Sequence, residues 1–271
     1  MTSSTTDLNS FADGTKRLQR RWTPTGTVRA AMLLVHGIGE HSGRYEHVGS
    51  AFAETGIDVL SFDQRGFGES GGTRAYVDSF DQYLDDLLPQ MGDRRTLDVP
   101  VILMGHSLGG LVVSSYLVSD RPQPDLAVLS SPALSANAPA WQKALAPVLG
   151  TILPTFSLPA DFDGAVLSRD PEVATAYETD PLRVPSATAR LGREIFSAMG
   201  STGSSLDRLR VPTYVLHGQE DTLVPPSASE PLSTLPNVTR RVWPNLRHEC
   251  LNEPEKDEVI AEIITWLDDH L

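Results

Sequence analysis

At 271 residues, with 40% hydrophobic and 21% charged positions, the chain has the length and composition of one large globular domain, or of one domain carrying an insertion. Its 35 acidic against 22 basic residues leave a net charge of −13, which excludes nucleic acid and anionic membrane as partners held by electrostatics. The single cysteine, Cys250, excludes an internal disulfide and any cysteine-rich metal site, and nothing in the sequence implies a cofactor or a metal.

The Ser/Thr-rich first ten residues hold no basic stretch followed by an apolar core, and no apolar run approaches the ~18 residues of a membrane span, so a cytoplasmic location is expected. Lys16 to Trp22 alternates loosely and reads as an early strand, closed by the turn Thr23-Pro24-Thr25-Gly26. Ala30 to Val35 is apolar without alternation, the pattern of a strand covered on both faces in a parallel sheet. His36-Gly37-Ile38-Gly39 follows at its C-terminal end, where open α/β sheets place their ligands. A helix over Tyr45 to Thr55 closing on Gly56, a strand from Ile57 to Phe62 and the Gly-punctuated loop Asp63 to Ser70 come next. Asp78 to Gly92 has helical periodicity, with Phe80, Tyr83, Leu84, Leu87 and Leu88 on the inner face.

Val99 to Met104 is the next apolar strand, and it runs into Gly105-His106-Ser107-Leu108-Gly109. Leu108 to Val118 is then apolar nearly all round, as for a helix buried against a sheet. A Gly-x-Ser-x-Gly between strand and helix is the pattern of a nucleophile elbow: the strained turn exposes the serine hydroxyl, and the glycines let strand and helix approach closely. The helix N-terminus directs partial positive charge at that hydroxyl. A Gly-rich structural turn is the plain alternative. Asp125 to Leu129 gives a further strand, ending in Ser130-Ser131-Pro132, and the third alternation of strand and helix is the signature of right-handed crossovers building a parallel sheet.

From Ala133 to about Leu206 that rhythm breaks, and prolines 139, 147, 154, 159, 171, 181 and 185 divide the stretch into short helices. The expected organisation is a helical cap, 133–206, inserted between core segments 1–132 and 207–271. Trp141, Leu145, Val148, Leu149, Ile152, Leu153 and Phe156 keep helical spacing across Pro147, which is expected to begin a second short helix. Ordinary core of a helical subdomain is the plainer reading of that stripe, and a surface in transient contact with membrane or micelle is the other. Both allow an apolar tunnel. The sheet resumes with Val211 to His217, ending in Gly218-Gln219-Glu220-Asp221; a helix around Pro226 to Leu235, a strand from Val238 to Trp243, the loop Asn245-Leu246-Arg247-His248 and a closing helix from about Pro254 to His270 follow.

A serine hydroxyl is a poor nucleophile near neutral pH and needs an adjacent base, for which histidine has the suitable pKa. In hydrolases built on such an elbow the chain order is serine, acid, histidine, with the partners on loops at strand C-termini, which leaves His217, His248 and His270. His217 stands within its strand end and His270 is the penultimate residue of a terminal helix, so His248 is the candidate base. The acid that orients it belongs at the end of the preceding strand, where Glu220 and Asp221 both stand; Asp221 is preferred for its short side chain. Acyl transfer also needs amides aimed at the oxyanion, and Leu108, after the nucleophile, and Ile38, in the His36–Gly39 loop, are the candidates. His36 then reads as structural, and Cys250 as a small buried hydrophobe.

With these parts in place the chain resembles the α/β-hydrolases, and among them the monoacylglycerol lipases. His36 to Tyr45 is similar to that family's oxyanion loop, Asp63 to Ser70 to its next loop and Gly105 to Gly110 to its elbow, while Leu167-Ser168-Arg169-Asp170-Pro171 and Tyr177 through Leu182 match its cap pattern. The resemblance implies a mostly parallel eight-stranded sheet flanked by helices with an inserted cap, and a Ser-His-Asp acyl-enzyme mechanism acting on a single-chain lipid ester. It further implies that Glu40 and Arg44 form a polar pair near the glycerol end, that Tyr177 reaches it from the cap, and that Leu149 belongs to the acyl-lining cap core. Taken alone, Glu40 and Arg44 are an i,i+4 charge pair of the kind found on solvated helices. Asp63-Gln64-Arg65-Gly66 with Gly68 and Ser70 also resembles the proline iminopeptidases, which need cap carboxylates for a substrate amine, and the cap offers Asp161, Asp163, Asp170, Glu172 and Glu178. A general carboxylesterase or lysophospholipase uses the same parts, and a non-catalytic binding protein on this fold usually loses a triad member. Dehalogenase chemistry is disfavoured because serine, not aspartate, holds the nucleophile position.

Overall fold

The computed structural model describes residues 2–11, 13–137 and 140–271, and the side chains of these apart from 140–144. Pro139 and the side chain of Trp141 therefore lie outside the described residues.

Five runs become the centre of one sheet because each is buried on both faces, and a sixth, more open strand closes one edge. The five are β3 (Ala30–Val35), β4 (Ile57–Phe62), β5 (Val101–His106), β6 (Leu126–Ser130) and β9 (Thr213–Gly218), and the edge strand is β10 (Val238–Trp243), with no residue fully buried. With β1 (Thr5–Ser10) and β2 (Lys16–Trp22) they form eight strands in the order β1-β2-β4-β3-β5-β6-β9-β10. The six pair in parallel, and β1 and β2 add antiparallel at the other edge. β1 is the strand that the residue pattern did not announce: Thr-Thr-Asp-Leu-Asn-Ser has no apolar run, is exposed throughout, and is held by its ladder to β2.

Alternate side chains of each strand feed two helical layers, which is the two-faced burial expected of a parallel sheet. On one face Leu33, Val35 and Leu103 pack with α2 (Asp81–Arg95) and α3 (Leu108–Leu117); on the other Met32, Leu34 and Ile102 pack with α1 (Glu46–Glu54) and α7 (Lys256–Asp268). All ten residues of α3 are buried. α1 stops at Thr55, and Gly56 takes φ +87°, as expected of a glycine past a helix end. Leu88 corrects the assigned inner face of α2, since it is exposed while Tyr83, Leu84, Leu87 and Met91 carry the packing. The helix expected around Pro226 is a 3-10 helix, Pro226–Thr234; Pro226 and Pro231 have no N–H to donate to a regular α-helix.

Between β6 and β9 the chain leaves the sheet and forms α4 (Ala140–Ile152), β7 (Ser157–Pro159), α5 (Pro171–Thr179), β8 (Ser186–Thr188) and α6 (Ala189–Gly203). Two expectations are corrected here. Pro147 lies inside a continuous α4 and does not begin a second helix, and a short antiparallel β7–β8 pair joins what was read as helices alone. α4 crosses α6 closely enough that a Cβ on Gly150 would stand 2.6 Å from that of Arg193. The later part of the segment is tied to the sheet side: Val184 N donates to Gly39 O (2.9 Å), Thr188 Oγ1 to Ala75 O (2.7 Å), and Glu249 N to Leu167 O (2.8 Å).

Candidate active site

The parallel strands end on one edge, so the loops after β3, β5, β9 and β10 meet there. β5 runs into Ser107, whose φ of +52° is the left-handed strain of a tight strand-to-helix turn. Its amide is fixed on Ser130 O at 3.0 Å. The flanking glycines are required by approach: a Cβ on Gly105 would strike the Gly109 carbonyl, and one on Gly109 the carbonyl of Val35 in β3. The elbow therefore depends on two strands and a helix packing within backbone contact.

Asp221 follows β9 and His248 follows β10, and the structure brings both to the serine. His248 Nδ1–H donates to Asp221 Oδ2 at 2.6 Å, which leaves Nε2 to accept from Ser107 Oγ at 2.9 Å. Asp221 Oδ1 accepts from the amides of Leu223 (2.9 Å) and Val224 (3.0 Å). Burial alone would raise the Asp221 pKa, but the charge of His248 and hydrogen bonds from His217, His248 and Val224 hold it well below the usual carboxylate range. Burial likewise pulls His248 down, yet the charge and hydrogen bond of Asp221, with Glu249 and Glu40 behind, raise it above 6.5.

The alternatives separate cleanly. His217 Nε2 lies 2.8 Å from Val224 O and 3.3 Å from Asp221 Oδ2, so it braces the acid. His270 stacks on Trp266 at the end of α7, and Glu220 is exposed. His36 accepts from Gln64 N (2.8 Å) at Nε2 and faces Gly37 O (2.7 Å) through Nδ1, the role of a structural histidine. Cys250 is buried, and burial pushes its thiol up to about 12. Ser131, noted in the sequence only as part of a strand end, has its own positive φ of 42° and donates from Oγ to His248 O at 2.8 Å, which fixes the backbone of the histidine.

The His36–Gly39 loop passes directly beside the serine, where a Cβ on Gly37 would stand 3.3 Å from that of Ser107. Ile38 and Leu108 border the same cavity as Ser107 and His248. Glu40, next in that loop, folds back: its carboxylate accepts from Gly37 N, from Tyr45 Oη (2.7 Å) and from Arg44 Nη1 (3.0 Å). All three of Glu40, Arg44 and Tyr177 line the cavity, and the Arg44 guanidinium lies 5.3 Å from the Tyr177 ring centroid. The solvated-helix reading of Glu40 and Arg44 is overturned, since the pair is buried. Sequence reasoning missed the second partner of Arg44: Glu249 takes Nη1 at 2.6 Å and Nη2 at 2.9 Å. Its one signal was an acid placed directly after the candidate base.

The cavity holds about 690 Å³ and extends from Ser107 beneath the segment between β6 and β9. Leu145, Leu149, Leu158, Ile195, Phe196 and Met199 form apolar walls. Among the described residues, no group of three or more His, Cys, Asp or Glu is placed to hold a metal ion, and no helix is long and apolar enough to cross a membrane.

A parallel sheet with a serine on its elbow, and an acid and a histidine on the following strand ends, defines an α/β-hydrolase. Residues 26–255 match the sequence profile of the family described as serine aminopeptidase, S33, and the chain belongs to that family. It is 35% identical to the monoacylglycerol lipase of Mycolicibacterium smegmatis over the full length of both chains. It is 32% identical to the human monoglyceride lipase, covering 94% of this chain and 88% of the other. Among solved structures it superposes on the monoacylglycerol lipase of Paleococcus ferrophilus with a TM-score of 0.85 and 30% identity, over 98% of this chain and 100% of that one.

Proposed function

We propose that this carboxylic ester hydrolase cleaves monoacylglycerol to glycerol and fatty acid through an acyl-enzyme. Ser107 Oγ attacks the ester carbonyl as His248 Nε2 takes its proton, and Asp221 holds the imidazole and balances the imidazolium. The amides of Ile38 and Leu108 receive the oxyanion, at the edge where the elbow and the β3 loop meet. His248 then protonates the departing glycerol oxygen, and a water activated by the same histidine releases the acid. The low pKa of Asp221 keeps it anionic throughout this cycle.

The observation that carries the substrate reading is one cavity with two chemistries, apolar walls that include Leu149 at one end and Glu40, Arg44 and Tyr177 at the other. One acyl chain occupies the first, and free glycerol hydroxyls pair with the second. A triacylglycerol would leave two further chains against buried charge. In this reading residues 133–206 act as a cap over a core made of 1–132 and 207–271. Exposed Val148, Ile152, Leu153 and Phe156 in that cap favour transient contact with a membrane or micelle.

The family description also names aminopeptidases, and an amine substrate would need an unpaired carboxylate in the cavity. Of the five cap acids, Asp161 alone lines it, and Asp161 is paired with Arg183. Esters are thus favoured over amino-peptides. Purified protein offered 1-monoacylglycerol, triacylglycerol and a proline arylamide should hydrolyse the first at the highest kcat/KM. Arg44→Ala should cost more on monoacylglycerol than on a nitrophenyl ester of equal acyl length; triacylglycerol or the arylamide turned over as fast as monoacylglycerol would sink the assignment.

A further inference from the structure

We propose that the polar end of this cavity selects by charge, admitting an ester whose head group is neutral and rejecting one that carries phosphate, and that Glu249 sets the sign. The placement of the head group rests on the monoacylglycerol reading above. Arg44 is the single Lys or Arg among the described residues lining the cavity, against Glu40, Asp161 and Glu249. Both terminal nitrogens of Arg44 are already held, Nη1 by Glu40 and Glu249 and Nη2 by Glu249. Tyr177 lies against the guanidinium, with Arg183 near the same ring at 4.8 Å. Arg183 is itself paired with Asp161, so those two charges cancel.

What remains is one cation between two carboxylates, an excess negative charge beside the reacting serine. It is buried: the side chains of Glu40 and Glu249 are 5% exposed and that of Arg44 11%. Salt therefore screens it little. Asn252 Nδ2 donates to Glu249 Oε2 at 2.8 Å, which fixes that carboxylate in place. A phosphate head group would find no guanidinium free to form a fork and would meet this excess charge. A glycerol hydroxyl, which both donates and accepts, finds carboxylate oxygens and the Tyr177 hydroxyl. The same field acts on the products, because the liberated acid acquires a negative charge on leaving Ser107 and glycerol does not. Glu249 thus acts as a specificity residue and helps to clear the anionic product.

The test compares kcat/KM on 1-oleoylglycerol and on 1-oleoyl-lysophosphatidic acid, both below their aggregation limits, for the wild type and Glu249→Gln. The wild type should prefer the neutral ester by about a hundredfold, and Glu249→Gln should narrow that preference by roughly tenfold, the scale of one charge at a few ångströms in a partly desolvated site. Glu249 raises the pKa of His248, and the base works only when neutral. The acid limb of the pH profile should therefore move to lower pH in Glu249→Gln, a shift that a merely structural role would not produce. Should Glu249→Gln fail to fold, Glu40→Gln removes the same charge from the other side of Arg44 and should narrow the preference likewise. Comparable wild-type turnover of both lipids, or an unchanged preference in a folded variant, overturns the proposal and leaves the monoacylglycerol reading standing. If neither glyceride is cleaved while nitrophenyl esters are, that reading falls by itself. The charge rule is then decided by a nitrophenyl ester and its ring-carboxylated counterpart, where equal rates refute it.

Discussion

Helices α3 and α4 are both rich in apolar side chains and are treated in opposite ways by the fold. In α3 every Leu and Val is buried between the sheet and α6, whereas α4 leaves Leu145, Val148 and Ile152 exposed, Ile152 at 70%. Among the described residues, six of the nine exposed large hydrophobic side chains lie between Leu145 and Leu158. Apolar composition alone therefore specifies neither burial nor role. In α3 it secures the turn that presents Ser107; in α4 one face lines the cavity and the other lies open.

That contrast can be broken at its strongest point first. Ser107→Ala, nearly isosteric in a turn fixed by Gly105 and Gly109, should cut ester turnover by several orders of magnitude with the melting temperature almost unchanged. Ester turnover in folded variant at the wild-type rate would remove the serine from the mechanism. Next in size, Leu111→Ala inside α3 should cost about 2–5 kcal/mol by urea unfolding, while Ile152→Ala on the open face of α4 should stay within about 0.5 kcal/mol. Equal losses would mean that α4 packs as core. Within α4 itself, Leu149→Asp should raise KM for long-chain esters severalfold more than for acetate esters, and an equal effect on both would place Leu149 away from the acyl path. Smaller still, Ser131→Ala removes the hydrogen bond to the His248 carbonyl. It should lower kcat by roughly tenfold, equivalent to about 1.4 kcal/mol, with KM little altered; a change confined to KM would show that the bond does not position the base.

The centre of the sheet was legible because its strands are apolar runs, and a run buried on both faces needs no partner to be recognised. β1 escaped because a wholly exposed edge strand owes its existence to the ladder of β2, which its own residues do not advertise. α4 escaped at Pro147 because local chemistry favours a break there, and packing against α6 outweighs a proline's cost of roughly 3 kcal/mol. Ser107, Asp221 and His248 could be read in advance because strand-end placement follows from the order of the elements. Glu249 could not, since its pairing with Arg44 joins positions 205 residues apart and exists only once two loops meet. Ser131 is similar, as its hydroxyl matters through a carbonyl 117 residues away.

The hydrogen bonds that bind the later residues between β6 and β9 to the sheet side divide that segment mechanically. Val184 is fastened to Gly39 in the very loop that holds Ile38, so displacement at this corner would drag that loop, beside Ser107, with it. Movement that leaves this edge in place would have to come from the α4 side, where Arg193 on α6 donates from Nη1 to Thr151 Oγ1 on α4. Amide hydrogen exchange should accordingly run faster in α4 than in α5, and the reverse order would make the polar corner the door.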